Sequence, residues 1–168
     1  MEDFLLSQSW AVGFRGWAGR WLSIKVVLAD NHQLVRQGLA LLLEEEPGMQ
    51  VVGEAGDCAT TIELIEELSP HVVIIDICLP DTNGVEATRR IAAQFPQVKI
   101  IAVSMHSDSL FVLNMLNAGA SGYLLKDCAL EELIRAIRTV MTKKIFLSSN
   151  LSNMLVKDLA SRIQVNNN

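Results

Sequence analysis

Five short apolar runs, rich in β-branched residues, recur along this chain and constrain its fold more than any other feature. Ile24 to Ala29 runs into Asp30, Val72 to Ile75 into Asp76, Val98 to Val103 into Ser104, and Gly122 to Leu125 into Lys126; Met49 to Ala55 is the remaining run. Runs of this length and composition suit strands buried on both faces. Helical patterns separate them. Val35, Leu39 and Leu42 fall at core spacing before Pro47 and Gly48, and a second pattern covers about 57 to 69. A third starts at Gly84 with Val85, Thr88, Ala92 and Phe95, and a fourth spans about 107 to 118. The fifth, from Cys128 to Thr142, places Leu130, Leu133, Ile134, Ile137 and Met141 on one side. Such alternation predicts an α/β fold: a doubly wound five-stranded parallel sheet in the order 2-1-3-4-5.

That order has a chemical consequence. Strands one and three flank the point where the winding reverses, and ligands bind there, outside the carboxyl ends of the strands. Asp30, Asp76, Ser104 and Lys126 each close a different strand, so two carboxylates, a hydroxyl and an ammonium are expected on one rim. Taken singly, each is as readily a turn former, a helix cap or a solvated side chain. Four at four strand ends are harder to assign to chance. The set suits phosphoryl transfer. Asp76 is a carboxylate nucleophile able to form an acyl phosphate. A divalent cation would offset its repulsion of an incoming phosphate, and Mg²⁺ takes oxygen ligands from one or two carboxylates. Lys126 supplies a point charge for phosphate oxygen, and Ser104 a hydroxyl donor.

Composition narrows the partners. No apolar run approaches the ~18 residues of a membrane span, so a cytoplasmic protein without a membrane partner is expected. The net charge of −5 is uneven: residues 24–145 carry sixteen acids and ten bases. That acidic middle offers no basic face to a nucleic-acid backbone. Cys58, Cys78 and Cys128 form no CxxC pair and read as reduced thiols. Nothing near Cys78 in the sequence marks it as redox-active.

Three stretches stand outside the pattern. Residues 1–23 hold all three Trp, with Trp10, Phe14, Trp17 and Trp21 on one helical face, but three glycines weaken that helix. A poorly ordered extension is expected there. Residues 146–168 place Leu151, Leu155, Leu159 and Ile163 on one face and read as a linker or truncated tail. The fourth helix carries Leu110, Phe111, Val112, Leu113, Met115 and Leu116, apolar nearly all round, which calls for either deep packing or a partner.

The stretches VVLADNHQLVRQGL, IIDICLPDTNGVEATRRI, IIAVSMH and GASGYLLKD resemble the receiver domain of bacterial two-component response regulators. Within that family they are most similar to the class with a LuxR-type helix-turn-helix output domain. The resemblance implies a flavodoxin-like receiver fold over residues 24–145, with Asp76 as the phospho-acceptor. It makes Asp30 and Asn31 the acidic pair of the metal site, with the Cys78 carbonyl as a further ligand. Ser104 and Tyr123 match the switch hydroxyl and switch aromatic, and Lys126 the family's lysine. It further implies Mg²⁺, a sensor histidine kinase as partner, a homodimer among the assemblies to expect, and transcription regulation through an output domain. DNA would be met only through that output domain, which this chain is expected to lack. No enzyme activity is implied beyond its own phosphorylation and dephosphorylation.

Two residues depart from the family pattern. Asn31 stands where a carboxylate is usual, which could weaken Mg²⁺ by on the order of 1–3 kcal/mol. It supports an alternative, a degenerate receiver that acts only as a protein-interaction module. Asp127 follows Lys126 in place of proline, so a cis peptide is not assumed. A flavodoxin-like cofactor binder fits poorly, because no Gly-rich phosphate loop follows the first strand.

Overall fold

Residues 23–165, those the computed structural model describes, alternate strand and helix in chain order. The elements are β1 (Ile24–Ala29), α1 (Gln33–Glu44), β2 (Met49–Ala55), α2 (Cys58–Leu68), β3 (Val72–Asp76) and α3 (Gly84–Gln94). They continue with β4 (Lys99–Ser104), α4 (Ser109–Asn117), β5 (Gly122–Leu125), α5 (Leu130–Met141), β6 (Phe146–Leu147) and α6 (Ser149–Val165). The reading of residues 1–22 as a loose extension falls outside the described residues.

The sheet is parallel throughout, in the order β2-β1-β3-β4-β5-β6. The five expected strands hold their predicted order, and a short sixth extends the edge. Because side chains alternate across a strand, the sheet feeds two hydrophobic layers. Val27, Val73, Ile75 and Ile100 face one layer with Ile65 of α2, Ile91 of α3 and Met115 of α4. Val26, Leu28, Ile74 and Ile101 face the other with Leu43 of α1 and Leu133 and Ile137 of α5. Every residue of β3 is buried, so its terminal Asp76 is presented from the middle of the core.

Two glycines are demanded by position. A Cβ on Gly84 would lie 2.5 Å from the Ile77 Cα, so only glycine lets α3 start this close to the residue after Asp76. Gly119 has φ +114° and would bring a Cβ within 2.5 Å of the Ala92 Cβ.

Two expectations are corrected. The inward side of α1 is Leu39, Ala40 and Leu43, whereas Val35 and Leu42 are 52% and 47% exposed. A helix with five apolar residues in the run LALLL offers two plausible faces, and the docking on β1 selects one. The tail expected from residue 146 as a linker or truncated tail begins with packed structure, and its later part, residues 159–163, is exposed. Phe146 and Leu147 pair with Gly122 and Tyr123, and α6 buries Leu151 and Leu155 in the core. The same contact explains the apolar circumference of α4. Val112 and Met115 face the sheet, Phe111, Leu113 and Leu116 are partly buried, and Leu110 alone is strongly exposed. The Ser109 hydroxyl donates to the Asp158 carboxylate, tying α4 to α6.

Candidate functional site

Asp30, Asp76 and Lys126 meet at the carboxyl ends of β1, β3 and β5. The Lys126 Nζ lies 2.7 Å from Asp76 Oδ2 and 3.0 Å from Asp30 Oδ2. Asp76 is 2% exposed, so its charge needs compensation at close range. Two groups supply it: the ammonium, and the Cys78 N–H, which donates to Asp76 Oδ1 at 3.1 Å; the His32 ring stands nearby, its Nδ1 4.0 Å from Asp76 Oδ2. Burial alone would pull the Lys126 pKa down, but hydrogen bonds to Asp76 and Asp30 outweigh it and hold the ammonium above its usual range. Lys126 is therefore a permanent cation at neutral pH.

The turn that follows Asp76 is held by α2. Asp81 accepts from the Cys58 and Ala59 N–H groups at 2.8 and 3.0 Å, satisfying free donors at that helix's start. These bonds, that from Cys58 foremost, keep the Asp81 carboxyl below its usual pKa. On the other flank, Arg36 donates from Nη1 to the Asp30 carbonyl and from Nε to Glu54 Oε2 at 3.2 Å, bracing the β1–α1 turn against β2.

Ser104 and Tyr123 converge on one loop residue. The Ser104 Oγ accepts from the His106 N–H at 2.9 Å, and the Tyr123 hydroxyl donates to the His106 carbonyl at 2.6 Å. Both side chains are fully buried. Phe111 of α4 lies between His106 and Tyr123, tilted to the first ring and edge-on to the second, with ring centroids 5.7 and 6.4 Å away. The hydroxyl at the end of β4 is thus linked through one backbone residue to the aromatic ring of β5 and to α4.

The structure gathers Asp30, Asp76 and Lys126 within hydrogen-bonding distance and puts Ser104 on the neighbouring strand, one residue past the Asp76–Val103 pair. Asn31 and Cys78 are exposed beside the rim. The cysteines are free thiols, and burial pushes Cys58 and Cys128 up, which makes both poor nucleophiles. Three contributors carry no signal of their own in the sequence. His32 sits two residues past Asp30, Arg36 reaches back from the first turn of α1 to the Asp30 carbonyl, and Asp81 lies in the turn after Asp76.

The donor set fits a divalent cation. Asp30 and Asp76 offer hard carboxylate oxygens on one rim, and the ligand atoms of Asp30, His32 and Asp76 all lie within 4.8 Å of one another.

Residues 26–138 match the response regulator receiver domain family. The chain belongs to that family. Within it, the neighbours are regulators of the LuxR/NarL type. The chain is 38% identical over 135 residues to the transcriptional regulatory protein DegU of Brevibacillus brevis, covering 80% of this chain and 57% of that protein. It thus spans under two thirds of that relative's length. A LuxR-family two-component response regulator from Aurantimonas sp. SI85-9A1 superposes with a TM-score of 0.78 at 33% identity, over 82% of this chain and 99% of the other. The isolated receiver domain of RcsB from Salmonella enterica serovar Typhimurium, solved with the phosphomimetic BeF3-, gives a TM-score of 0.73 at 28% identity, over 79% and 99%.

Proposed function

We propose that this chain accepts a phosphoryl group on Asp76 from the phosphohistidine of a sensor kinase and passes the signal through α4 and β5 to a DNA-binding output domain. The observation that carries this reading is the Lys126 ammonium bridging Asp30 and Asp76, beside a buried hydroxyl at the adjoining strand end. An Asp76 carboxylate oxygen attacks phosphorus. The P–N bond breaks, its electron pair returns to the kinase imidazole, and that nitrogen takes a proton. Lys126 moves from carboxylate to phosphoryl oxygen, since an ammonium on a flexible stem follows the charge. Asp30, Asp76, the Asn31 amide and the Cys78 carbonyl would hold a divalent cation, whose charge would offset the repulsion between carboxylate and phosphoryl oxygens.

Readout begins at Ser104. Its oxygen accepts from the His106 N–H and its proton is left to donate to a phosphoryl oxygen, so a shift of the hydroxyl toward that oxygen pulls on the loop that also anchors Tyr123 and Phe111. The chemistry is self-phosphorylation and dephosphorylation, with no other substrate turned over. No described helix is long and apolar enough to cross a membrane, in keeping with a cytoplasmic role.

The test is the intact mass after incubation with Mg²⁺ and acetyl phosphate. The wild-type chain gains about 80 Da and Asp76→Asn gains nothing, because the nucleophile is gone. An equal adduct on both proteins overturns the acceptor assignment. No adduct on either leaves the interaction-module reading in its place.

A further inference from the structure

We infer that His32 is a side-chain ligand of the divalent cation at this rim and that its imidazole moves the site's preference from Mg²⁺ toward Mn²⁺ and other imidazole-tolerant ions. The inference rests on the metal site of the proposed function and extends it to a residue and an ion preference.

Two observations on His32 point the same way. It is the N-cap of α1, the place where a side chain usually turns back to the free helix N–H groups, yet its ring makes no capping bond. Instead Nδ1 faces the acids, 3.2 Å from Asp30 Oδ1 and 4.0 Å from Asp76 Oδ2. The His32 backbone N–H donates to the same Asp30 Oδ1 at 2.8 Å, which fixes carboxylate and ring on one side of the turn. The ring has no other partner, and its side chain is 62% exposed, so nothing else holds Nδ1 away from an ion bound between the acids.

The span is right for an ion. Opposed ligands with bonds of about 2.1–2.2 Å stand roughly 4.3 Å apart. The candidate donors lie within 4.8 Å of one another, with Nδ1 at 3.2 and 4.0 Å from oxygens of the two acids. The Lys126 ammonium takes Oδ2 of both acids. Oδ1 of each carries a single backbone N–H and can still coordinate.

Charge explains why the imidazole matters here. With Asn31 in place of a carboxylate and Lys126 against the two acids, the rim holds one net negative charge before an ion arrives. Mg²⁺ depends on hard, charged oxygen ligands and dehydrates reluctantly. Mn²⁺ and the later first-row ions gain more from imidazole nitrogen. Removing charge and adding a neutral nitrogen donor therefore favours the second group.

The experiment uses the full, untagged chain with no phosphoryl donor, so its outcome does not depend on Asp76 being an acceptor. Mn²⁺ and Mg²⁺ are titrated into wild type, His32→Ala, His71→Ala and His106→Ala, and the Mn²⁺-loaded proteins are examined by electron spin-echo spectroscopy for ¹⁴N coupling. The expected result is a ¹⁴N signal in wild type that persists in His71→Ala and His106→Ala and vanishes in His32→Ala. His32→Ala should lose about tenfold or more in Mn²⁺ affinity while Mg²⁺ changes less than about twofold. Equal Mn²⁺-to-Mg²⁺ ratios in wild type and His32→Ala, or a wild-type spectrum without ¹⁴N coupling, overturns the inference. So does a ¹⁴N signal that survives Asp30→Asn with unchanged affinity, because the nitrogen would then belong to an ion elsewhere.

Discussion

Gly84 and Lys126 show how little freedom single residues have around Asp76. A methyl group at position 84 would meet the backbone of Ile77, with its Cα at 2.5 Å and carbonyl oxygen at 2.9 Å, and backbone cannot swing aside as a side chain can. Gly84→Ala should destabilise the domain by about 1–3 kcal/mol and slow phosphorylation, because the displaced residue adjoins Asp76. Chemical denaturation and the rate of adduct formation check both parts. At Lys126, replacement by Met leaves two carboxylates facing each other without their cation. A fully buried pair broken this way costs about 3–5 kcal/mol; at a rim that water can reach, roughly 1–3 kcal/mol is expected. The pH dependence has a definite sign. A lysine held above its ordinary pKa in the folded state contributes its full stabilisation below that ordinary value, 10.5, and loses it as pH rises through the raised one. Wild type should therefore show an alkaline loss of stability beyond about that pH, and Lys126→Met should lack this component. Melting temperatures across the alkaline range measure it.

At the scale of elements, α6 carries the clearest consequence. It closes the outer side of α4 with Leu151, which is 1% exposed, and Leu155, 7% exposed, and it is preceded by the β5–β6 pairing. Leu151→Ala removes a core side chain and should cost about 2–5 kcal/mol, an effect with no counterpart if these residues were a linker. Equilibrium unfolding of the variant decides the matter: a loss under about 0.5 kcal/mol would mean that α6 does not pack in solution. Because α4 is also the element reached from Ser104 through His106 and Phe111, α6 packs against the element that the proposed switch would move.

For the molecule as a whole, charge sets the limit. Residues 24–145 are net acidic, and the single helix that follows among the described residues packs its first turns on the receiver core through Leu151 and Leu155 and offers no second helix to hold it as a recognition unit. The 168-residue chain alone should show no sequence-specific DNA binding at physiological salt, checked by mobility shift against specific and scrambled duplexes. Salt-resistant retention of one defined duplex would contradict this.

Sequence alone determined the strand count up to the fifth, their order, and the rim on which Asp30, Asp76, Ser104 and Lys126 lie. These follow from local patterns: β-branched runs make buried strands, right-handed crossovers fix the winding, and a residue at a strand's end can go nowhere but the rim. The tertiary structure alone decided which side of α1 faces inward, since LALLL satisfies two registers. It also decided that Phe146, Leu151 and Leu155 join the core while Leu159 and Ile163, on the same helical stripe, stay exposed, because only the first turns of α6 lie against α4. His32, Arg36 and Asp81 likewise became part of the site only through distance. Their partners lie on other elements or across a turn, and spacing in sequence carries no information about which way a side chain turns once the backbone has placed it.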